Sequence, residues 1–171
     1  LYRLFAKLGL IDNDLSKLPI FEPGLEEIIK KRRNQNLFFS SQVEDEIKNA
    51  DMIFISVNTP TKTKGLGAGL AIDLKWIDKS AREISRYARG ETIVVEKSTL
   101  PVKTASTIKK ILDSTRNVKV SYPNNKIFHV LSNPEFLAEG SAINDIEDPD
   151  RVLIGGEDKK AIEVLSNIYK R

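Results

Sequence analysis

The sequence contains no cysteine, which excludes disulfide bonds, thiolate metal ligands and a thiol nucleophile within these 171 residues. It has one histidine, His129, in the apolar run IFHVL. A metal centre there would lack partner ligands, so we interpret this histidine as part of the packed structure. No apolar run approaches the roughly 20 residues that span a bilayer, and no signal peptide is recognisable. These absences favour a cytoplasmic protein with no membrane partner.

The sequence also has no strong excess of one charge. It contains 27 Lys and Arg residues and 24 Asp and Glu residues, which give a net charge of +3. The dense basic run KKRR, at residues 30–33, follows the apolar positions Leu25, Ile28 and Ile29. That pattern predicts the last turn of a short helix, where cations suit the helix dipole. A nucleic-acid patch is the alternative, but the scattered charge elsewhere leads us to expect no nucleic-acid partner.

Apolar strands alternate with amphipathic helices along the chain, which is long enough for one domain with a core. The segments MIFISV and TIVV are unbroken apolar runs, typical of strands buried on both faces. Further strands are predicted at Leu37–Phe39, Ile127–Leu131 and Arg151–Ile154. Helices are predicted after Gly24, from Ser41, from Asp73 to Gly90, from Pro101, and from Asp158 to Tyr169 with Ala161, Val164, Leu165 and Ile168 inward. This alternation predicts an α/β fold with a mostly parallel sheet and helices on both faces.

Polar loops follow three of the predicted strands, at residues 58–69, 96–101 and 132–150. In an open parallel sheet, ligands bind beyond the carboxyl ends of the strands, so these loops are the candidate binding region. The second loop places Ser98 and Thr99 just before a helix. There a hydroxyl either caps the helix or contacts a ligand.

The first loop begins with NTPT at residues 58–61, which offers short donors and acceptors around a stiff proline. It continues into the glycine-rich GLGAG at residues 65–69. This segment does not lie in a tight strand-to-helix turn, so it is not a dinucleotide fingerprint. A flexible connector and a ligand or subunit contact are both compatible with it.

The third loop contains two glutamates, Glu135 and Glu139, on either side of Phe-Leu-Ala. If the segment is helical, this spacing places both carboxylates on one face. Like charges and neighbouring apolar side chains would then raise the pKa of one carboxyl, which suits an acid or base near neutral pH. The alternative is a pair of solvated glutamates on a surface turn.

Several segments together resemble the UDP-glucose 6-dehydrogenase family, from about Leu18 to the end of the sequence. They occur in the order FEPGLEE, NLFFS, ADMIFISVNTPTKTKGLGAG, EKSTLPVKTA, LSNPEFLAEGSAI and DPDRVLIGG. The resemblance implies a partial Rossmann-like NAD-binding domain at residues 18–171, preceded by an atypical segment at 1–17. It also implies oxidation of UDP-glucose to UDP-glucuronate with two NAD+, by a homo-oligomeric enzyme.

The resemblance also implies roles for individual residues. Glu135 is similar to the family's acid/base glutamate, and Thr99 matches a residue near the reacting centre. The residues expected at the cofactor NAD are Val57, Asn58, Thr59, Pro60, Thr61, Ser98, Thr99, Leu100 and Glu139. Those expected at UDP-glucose are Glu135, Phe136, Leu137, Ala138 and Glu139. The stretch Lys97–Lys103 is similar to one that shifts in the family's allosteric control.

Some features expected from the family are missing from the sequence. Nothing before Leu18 matches the first strand and its glycine-rich G-x-G-Y-V-G turn, which binds the pyrophosphate. The cysteine with which the family traps the aldehyde is also missing. We therefore expect a fragment that lacks the first strand and its turn and is inactive alone.

Two other functions remain compatible with the residues. One is a different nucleotide-sugar 6-dehydrogenase, acting on GDP-mannose or a UDP-amino sugar, although the FLAEG segment favours UDP-glucose. The other is a non-catalytic binding or assembly module from a truncated gene.

Overall fold

The structure, a computed structural model, describes residues 22–65, 68–70, 72–98, 104–114 and 126–170. The helices within these ranges are α1 (Leu25–Arg32), α2 (Val43–Lys48), α3 (Lys75–Tyr87), α4 (Thr104–Ser114), α5 (Ala142–Glu147) and α6 (Lys159–Tyr169). The strands are β1 (Met52–Ile55), β2 (Glu91–Glu96), β3 (Ile127–Ser132) and β4 (Gly155–Gly156). No helix in the described part of the chain is both long and apolar enough to cross a membrane.

The sheet has the strand order β1-β2-β3-β4, with the first three strands parallel and β4 antiparallel to β3. Neighbouring residues of a strand point to opposite faces, and both Val94 and Val95 are fully buried. Both faces of the sheet are therefore covered, as the unbroken apolar run in β2 predicts. The predicted α/β fold with a mostly parallel sheet is confirmed.

One face of the sheet packs against α6. The core cluster on this face consists of Met52, Val95, Leu131, Ala161 and Leu165. Gly156 in β4 approaches the cluster so closely that a Cβ atom would overlap the Leu131 side chain. Close packing, rather than a special backbone conformation, therefore requires glycine at position 156.

Helices α3 and α4 pack against each other, and α4 packs against β3. The buried side chains of α3 recur every three or four residues, as the helical pattern predicts: Ile77, Ala81 and Ile84. The Ser85 hydroxyl donates to the Leu112 carbonyl at 3.0 Å and joins the two helices. At the start of α3 the Lys75 amide donates to Asp73 Oδ1 at 2.9 Å, but the N-cap is Leu74, so the helix begins later than the predicted start at Asp73.

The structure differs from the sequence predictions at several elements. The predicted strand Leu37–Phe39 is wrong, because pairing there is limited to an isolated bridge between Arg33 and Leu37. The last strand lies at Gly155–Gly156 rather than Arg151–Ile154. The glycines of the observed strand permit its close approach to β3. Val164, predicted to face inward, is 44% exposed because it lies about 100° around the helix from the buried Leu165.

The described residues divide into two compact units. One consists of residues 22–43 and 136–152, which include α1 and α5. The other consists of residues 44–135 and 153–170, which include the sheet, α3, α4 and α6. The candidate site residues belong to both units.

Candidate functional site

The loops that follow β1 and β2 meet at the carboxyl end of the sheet. The Lys97 amide donates to the Ile55 carbonyl at 3.0 Å, and the Ser98 hydroxyl donates to the Val57 carbonyl at 3.0 Å. Parallel pairing brings these strand ends together, so the loop at residues 96–101 contacts the residue that precedes the loop at residues 58–69. The predicted site residues Thr99 and Leu100 lie outside the described residues.

The loop after β1 folds back on itself. The Asp73 amide donates to the Pro60 carbonyl at 2.7 Å, and Thr61 forms an antiparallel bridge with Ile72. Further along, the Gly69 amide donates to the carbonyl of residue 62 at 2.8 Å, and Gly69 has a left-handed φ of 78° that favours glycine. The side chains beyond the sheet edge remain accessible: Asn58, Pro60 and Thr61 are exposed and Thr59 is half-buried.

A buried carboxyl group lies at the end of β2. Glu96 is only 3% exposed, and its Oε2 accepts a hydrogen bond from the Ser132 hydroxyl at 3.0 Å. Its Oε1 is buried and has no hydrogen-bond partner among the described residues. Burial raises the pKa of Glu96, and the Ser132 hydrogen bond offsets part of that rise. The burial of Glu96 was not predicted, because the local sequence EKST is typical of a polar loop.

We expect the buried Glu96 carboxyl to make folding stability depend on pH. The ordinary pKa of a glutamate is about 4.5. Below that value the carboxyl is neutral in both the folded and unfolded chains, and it carries no charge-burial penalty. As pH rises, the unfolded chain releases the proton first, so stability falls until pH passes the raised folded-state pKa.

The test compares urea unfolding of the wild type and Glu96→Gln between about pH 4 and about pH 8. The wild type should lose stability relative to Glu96→Gln as pH rises, because the amide cannot ionise. The exposed Glu163→Gln substitution serves as the matched control; it keeps Glu96, so its stability should change with pH as that of the wild type does. A wild-type to Glu96→Gln difference that is constant with pH would contradict the expectation.

Asn133, at the end of β3, is 1% exposed, and all its amide groups are engaged. Its backbone amide donates to the Glu96 carbonyl at 2.9 Å, and its Nδ2 donates to the Leu153 carbonyl at 2.8 Å. Its Oδ1 accepts from Lys97 Nζ at 3.3 Å and from the Tyr169 hydroxyl. These bonds fix the backbone two residues before Glu135.

The two glutamates of the third loop, Glu135 and Glu139, are both exposed. Residues 133–138 form neither helix nor strand, and α5 begins only at Ala142. The Ala138 amide donates to a side chain, Asp145 Oδ2, at 2.9 Å. The condition that would place both carboxylates on one helix face is therefore not met. Glu135 belongs to the unit of the sheet, and Glu139 belongs to the other unit.

In the smaller unit, two carboxylates hold the backbone of the FLAEG segment. Glu22 Oε2 accepts from the Gly140 amide at 2.8 Å, where Gly140 has a left-handed φ of 88°. Asp145 Oδ2 accepts from the Ala138 amide and, at 3.1 Å, from the Ser141 hydroxyl. Sequence reasoning missed both carboxylates, because Glu22 is far from residue 140 in the chain and α5 was not predicted.

The aromatic side chain of the same segment, Phe136, is exposed and lies against an arginine. The Arg151 guanidinium carbon is 4.4 Å from the centre of the Phe136 ring, a cation–π contact. Leu137 is also exposed. The third loop therefore presents both apolar and charged groups at its surface.

His129 lies near the opposite, amino-terminal end of the sheet. Its Nε2 is 2.8 Å from Glu91 Oε1, and its Nδ1 is 3.4 Å from Asp158 Oδ2. The Ala161 amide donates to Asp158 Oδ1 at 2.8 Å and lowers the pKa of that carboxyl. A search of the described residues for three or more side chains that could hold a metal ion finds no such group.

A family model described as the UDP-glucose/GDP-mannose dehydrogenase family, NAD binding domain, matches residues 11–171. The chain belongs to this family. The match confirms the family expected from the sequence motifs and indicates NAD as the cofactor. In nucleotide-binding domains of this α/β type, ligands bind at the carboxyl ends of the parallel strands.

Named relatives in this dehydrogenase family share about half of the residues. The chain is 55% identical over 158 residues to UDP-glucose 6-dehydrogenase of Drosophila melanogaster, covering 90% of this chain and 32% of that protein. It is 55% identical over 158 residues to UDP-glucose 6-dehydrogenase 5 of Oryza sativa, covering 90% and 31%. The chain thus spans about a third of the length of these relatives.

Solved structures of the dehydrogenase family share the fold. A UDP-glucose dehydrogenase from Pyrobaculum islandicum matches with a TM-score of 0.70 and 33% identity, over 88% of this chain and 33% of that chain. A GDP-mannose dehydrogenase from Pseudomonas aeruginosa matches with a TM-score of 0.75 and 31% identity, over 90% and 34%. Similar scores for enzymes named for different sugars indicate that the fold alone does not distinguish the substrate.

Proposed function

We propose that the complete protein oxidises C6 of UDP-glucose to the carboxylate of UDP-glucuronate, with two NAD+ as hydride acceptors. The observation that carries the proposal is the meeting of the β1 and β2 loops at the sheet's carboxyl end, through Ser98 and Val57. Sequence identity of 55% to enzymes named UDP-glucose 6-dehydrogenase supports the choice of substrate.

In this proposal, NAD lies along the loops after β1 and β2, with Glu139 as a further contact. The groups exposed at residues 58–61 are uncharged and can hydrogen-bond. They fit the ribose hydroxyls and the carboxamide of NAD. When bound, NAD+ supplies the acceptor for the substrate's hydride. Thr99 and Leu100 keep their predicted cofactor roles, with Thr99 also near the reacting carbon.

Glu135 is proposed to take the proton from the sugar's C6 hydroxyl as the hydride leaves. Its side chain is exposed and therefore accessible to a ligand. Its backbone follows Asn133, whose buried amide is fixed on several sides. Residues 136–138 are proposed to hold UDP-glucose through backbone groups, and the carboxylates of Glu22 and Asp145 keep that backbone in shape.

A GDP-mannose dehydrogenase is the second candidate function, because the matching family model includes dehydrogenases of both UDP-glucose and GDP-mannose. The sequence identity of 31% to the GDP-mannose dehydrogenase is well below the 55% shared with UDP-glucose 6-dehydrogenases. The proposal therefore ranks UDP-glucose first. A homo-oligomer and a cytoplasmic location remain predictions from the resemblance.

The proposal is tested by following NADH formation by the complete protein with UDP-glucose, GDP-mannose and UDP-N-acetylmannosamine. UDP-glucose should give a kcat/KM more than about 100-fold above the other two sugars, because mismatched hydrogen-bonding groups are strongly rejected. Two NADH should form for each UDP-glucose consumed. A preference for GDP-mannose would establish the second candidate, and no NADH from any sugar would refute both.

The isolated 171 residues provide a separate test of the remaining alternative, a non-catalytic module. We expect this chain to give no turnover, because its sequence contains neither the glycine-rich G-x-G-Y-V-G turn that anchors the cofactor in the family nor the cysteine that traps the aldehyde for the second oxidation. Isothermal titration with NAD+ and with UDP-glucose should still detect weak binding of at least one nucleotide. A folded chain that binds neither would favour the non-catalytic module.

A further inference from the structure

The Asn133 side chain is the centre of a hydrogen-bond network that joins three separate parts of the chain. Lys97 follows β2, Leu153 precedes β4, and Tyr169 is the last residue of α6. Each contributes a hydrogen bond to the Asn133 amide. The network therefore links the carboxyl end of the sheet to the far end of α6.

Two donors converge on one oxygen atom in this network. Asn133 Oδ1 accepts from the Tyr169 hydroxyl and from Lys97 Nζ at 3.3 Å. Lys97 Nζ also donates to the Tyr169 hydroxyl at 3.3 Å and lies 5.8 Å from the centre of its ring. Each of these three side chains is thus hydrogen-bonded to the other two, and Asn133 is 1% exposed. With a buried amide at its centre and two half-buried donors, the network favours a single arrangement of these side chains.

The centre of this network, Asn133, lies two residues before Glu135, the acid/base group of the proposed reaction. Pro134 separates Asn133 from Glu135, so little freely rotating backbone lies between the fixed amide and the proposed acid/base group. Whatever holds Asn133 therefore limits where the Glu135 carboxylate can lie. Side-chain placement matters for proton transfer, because a displacement of about 1 Å can lower a rate about 100-fold.

We propose that Tyr169 and Lys97 are positioning residues that fix Asn133 and, through it, Glu135. This inference rests on the proposed function, since it assigns a purpose to the network at that same site. Neither residue need touch the substrate or the cofactor for this role. Through Tyr169, the C-terminal end of α6 then helps to hold the proposed acid/base group in place.

The experiment uses Tyr169→Phe in the complete protein. This substitution removes the hydroxyl and keeps the ring, which packs against the core cluster of the sheet. We expect kcat for UDP-glucose oxidation to fall about 10- to 100-fold, with little change in KM for either substrate. The dependence of kcat on pH should also shift, because a displaced Glu135 meets different surroundings. A merely structural tyrosine would leave that pH profile in place.

Two matched variants complete the design. Tyr87→Phe makes the same change in α3, whose C-terminal end leads to the amino end of β2, and it should leave kcat and the pH profile unchanged. Lys97→Met should act in the same direction as Tyr169→Phe, whereas Lys97→Arg should recover part of the rate by restoring a donor to Asn133.

The outcomes separate the inference from the proposed function. If the wild type oxidises UDP-glucose and Tyr169→Phe keeps both its kcat and its pH profile, the positioning role is overturned and the proposed function stands. If the wild type forms no NADH with UDP-glucose, the proposed function fails and the inference fails with it. A lowered kcat with a shifted pH profile, absent in Tyr87→Phe, supports both.

Discussion

Replacing Glu135 by glutamine in the complete protein is expected to lower kcat for UDP-glucose oxidation by about 10²- to 10⁴-fold, the usual contribution of a general base. The amide keeps the size of the carboxylate but cannot accept the proton of the C6 hydroxyl. Since the cofactor contacts are proposed on the loops after β1 and β2, the affinity for NAD+ should be nearly unchanged. NADH formation and titration with NAD+ measure the two quantities separately.

Glu163→Gln is the matched control, because Glu163 is an exposed glutamate on α6. This control variant should retain the wild-type kcat. An unchanged kcat in Glu135→Gln would contradict the proposed role of Glu135 as the acceptor of the C6 hydroxyl proton. A loss of NAD+ affinity as large as the loss of kcat would instead indicate that Glu135 serves the cofactor rather than the proton.

Replacing Leu165 by alanine is expected to lower the free energy of unfolding by about 2–5 kcal/mol, the range for a buried leucine. Leu165 is fully buried and lies in the cluster with Met52, Val95 and Leu131, between α6 and the sheet. Truncation would leave a cavity that this packed layer can only partly close. Urea unfolding monitored by circular dichroism provides the measurement.

The neighbouring residue gives a sharp control for this stability prediction. Val164→Ala removes apolar atoms from the next position of the same helix, but Val164 is 44% exposed. Its effect should stay within about 0.5 kcal/mol, as for most surface substitutions. Equal losses in the two variants would contradict the orientation of α6, since the sequence pattern alone placed both residues inward.

Regular apolar patterns explain why much of the fold was predictable from the sequence. Helix α3 repeats buried residues every three or four positions, β1 is an apolar run, and β2 contains the apolar run IVV at residues 93–95. Each pattern depends on a local property, its periodicity, and needs no knowledge of the partner element. The rule that ligands bind at the carboxyl ends of parallel strands then selected the loops.

Features that depend on distant residues were not predictable. The burial of Glu96 follows from pairing between β2 and β3, whereas its local sequence EKST is typical of a loop. The bond between Tyr169 and Asn133 joins residues 36 positions apart, and the bond from Gly140 to Glu22 spans 118 positions. Such contacts arise only when the whole fold has formed.

The roles of the candidate residues depended on the family motifs rather than on local patterns. The helical argument for Glu135 and Glu139 fails because the segment between them is not helical. Their proposed roles therefore rest on the match of NPEFLAEG to the family and on the anchored Asn133. The contact between Ser98 and Val57 is an observation in the structure, whereas their contact with NAD remains a prediction.

The most direct measurement is a crystal structure of the complete protein with UDP-glucose and NAD+, using Glu135→Gln to prevent turnover. The proposal predicts that the residue 135 side chain lies within hydrogen-bonding distance of the sugar's C6 hydroxyl, with the nicotinamide beside the β1 and β2 loops. A residue 135 side chain directed into solvent, away from both molecules, would contradict it.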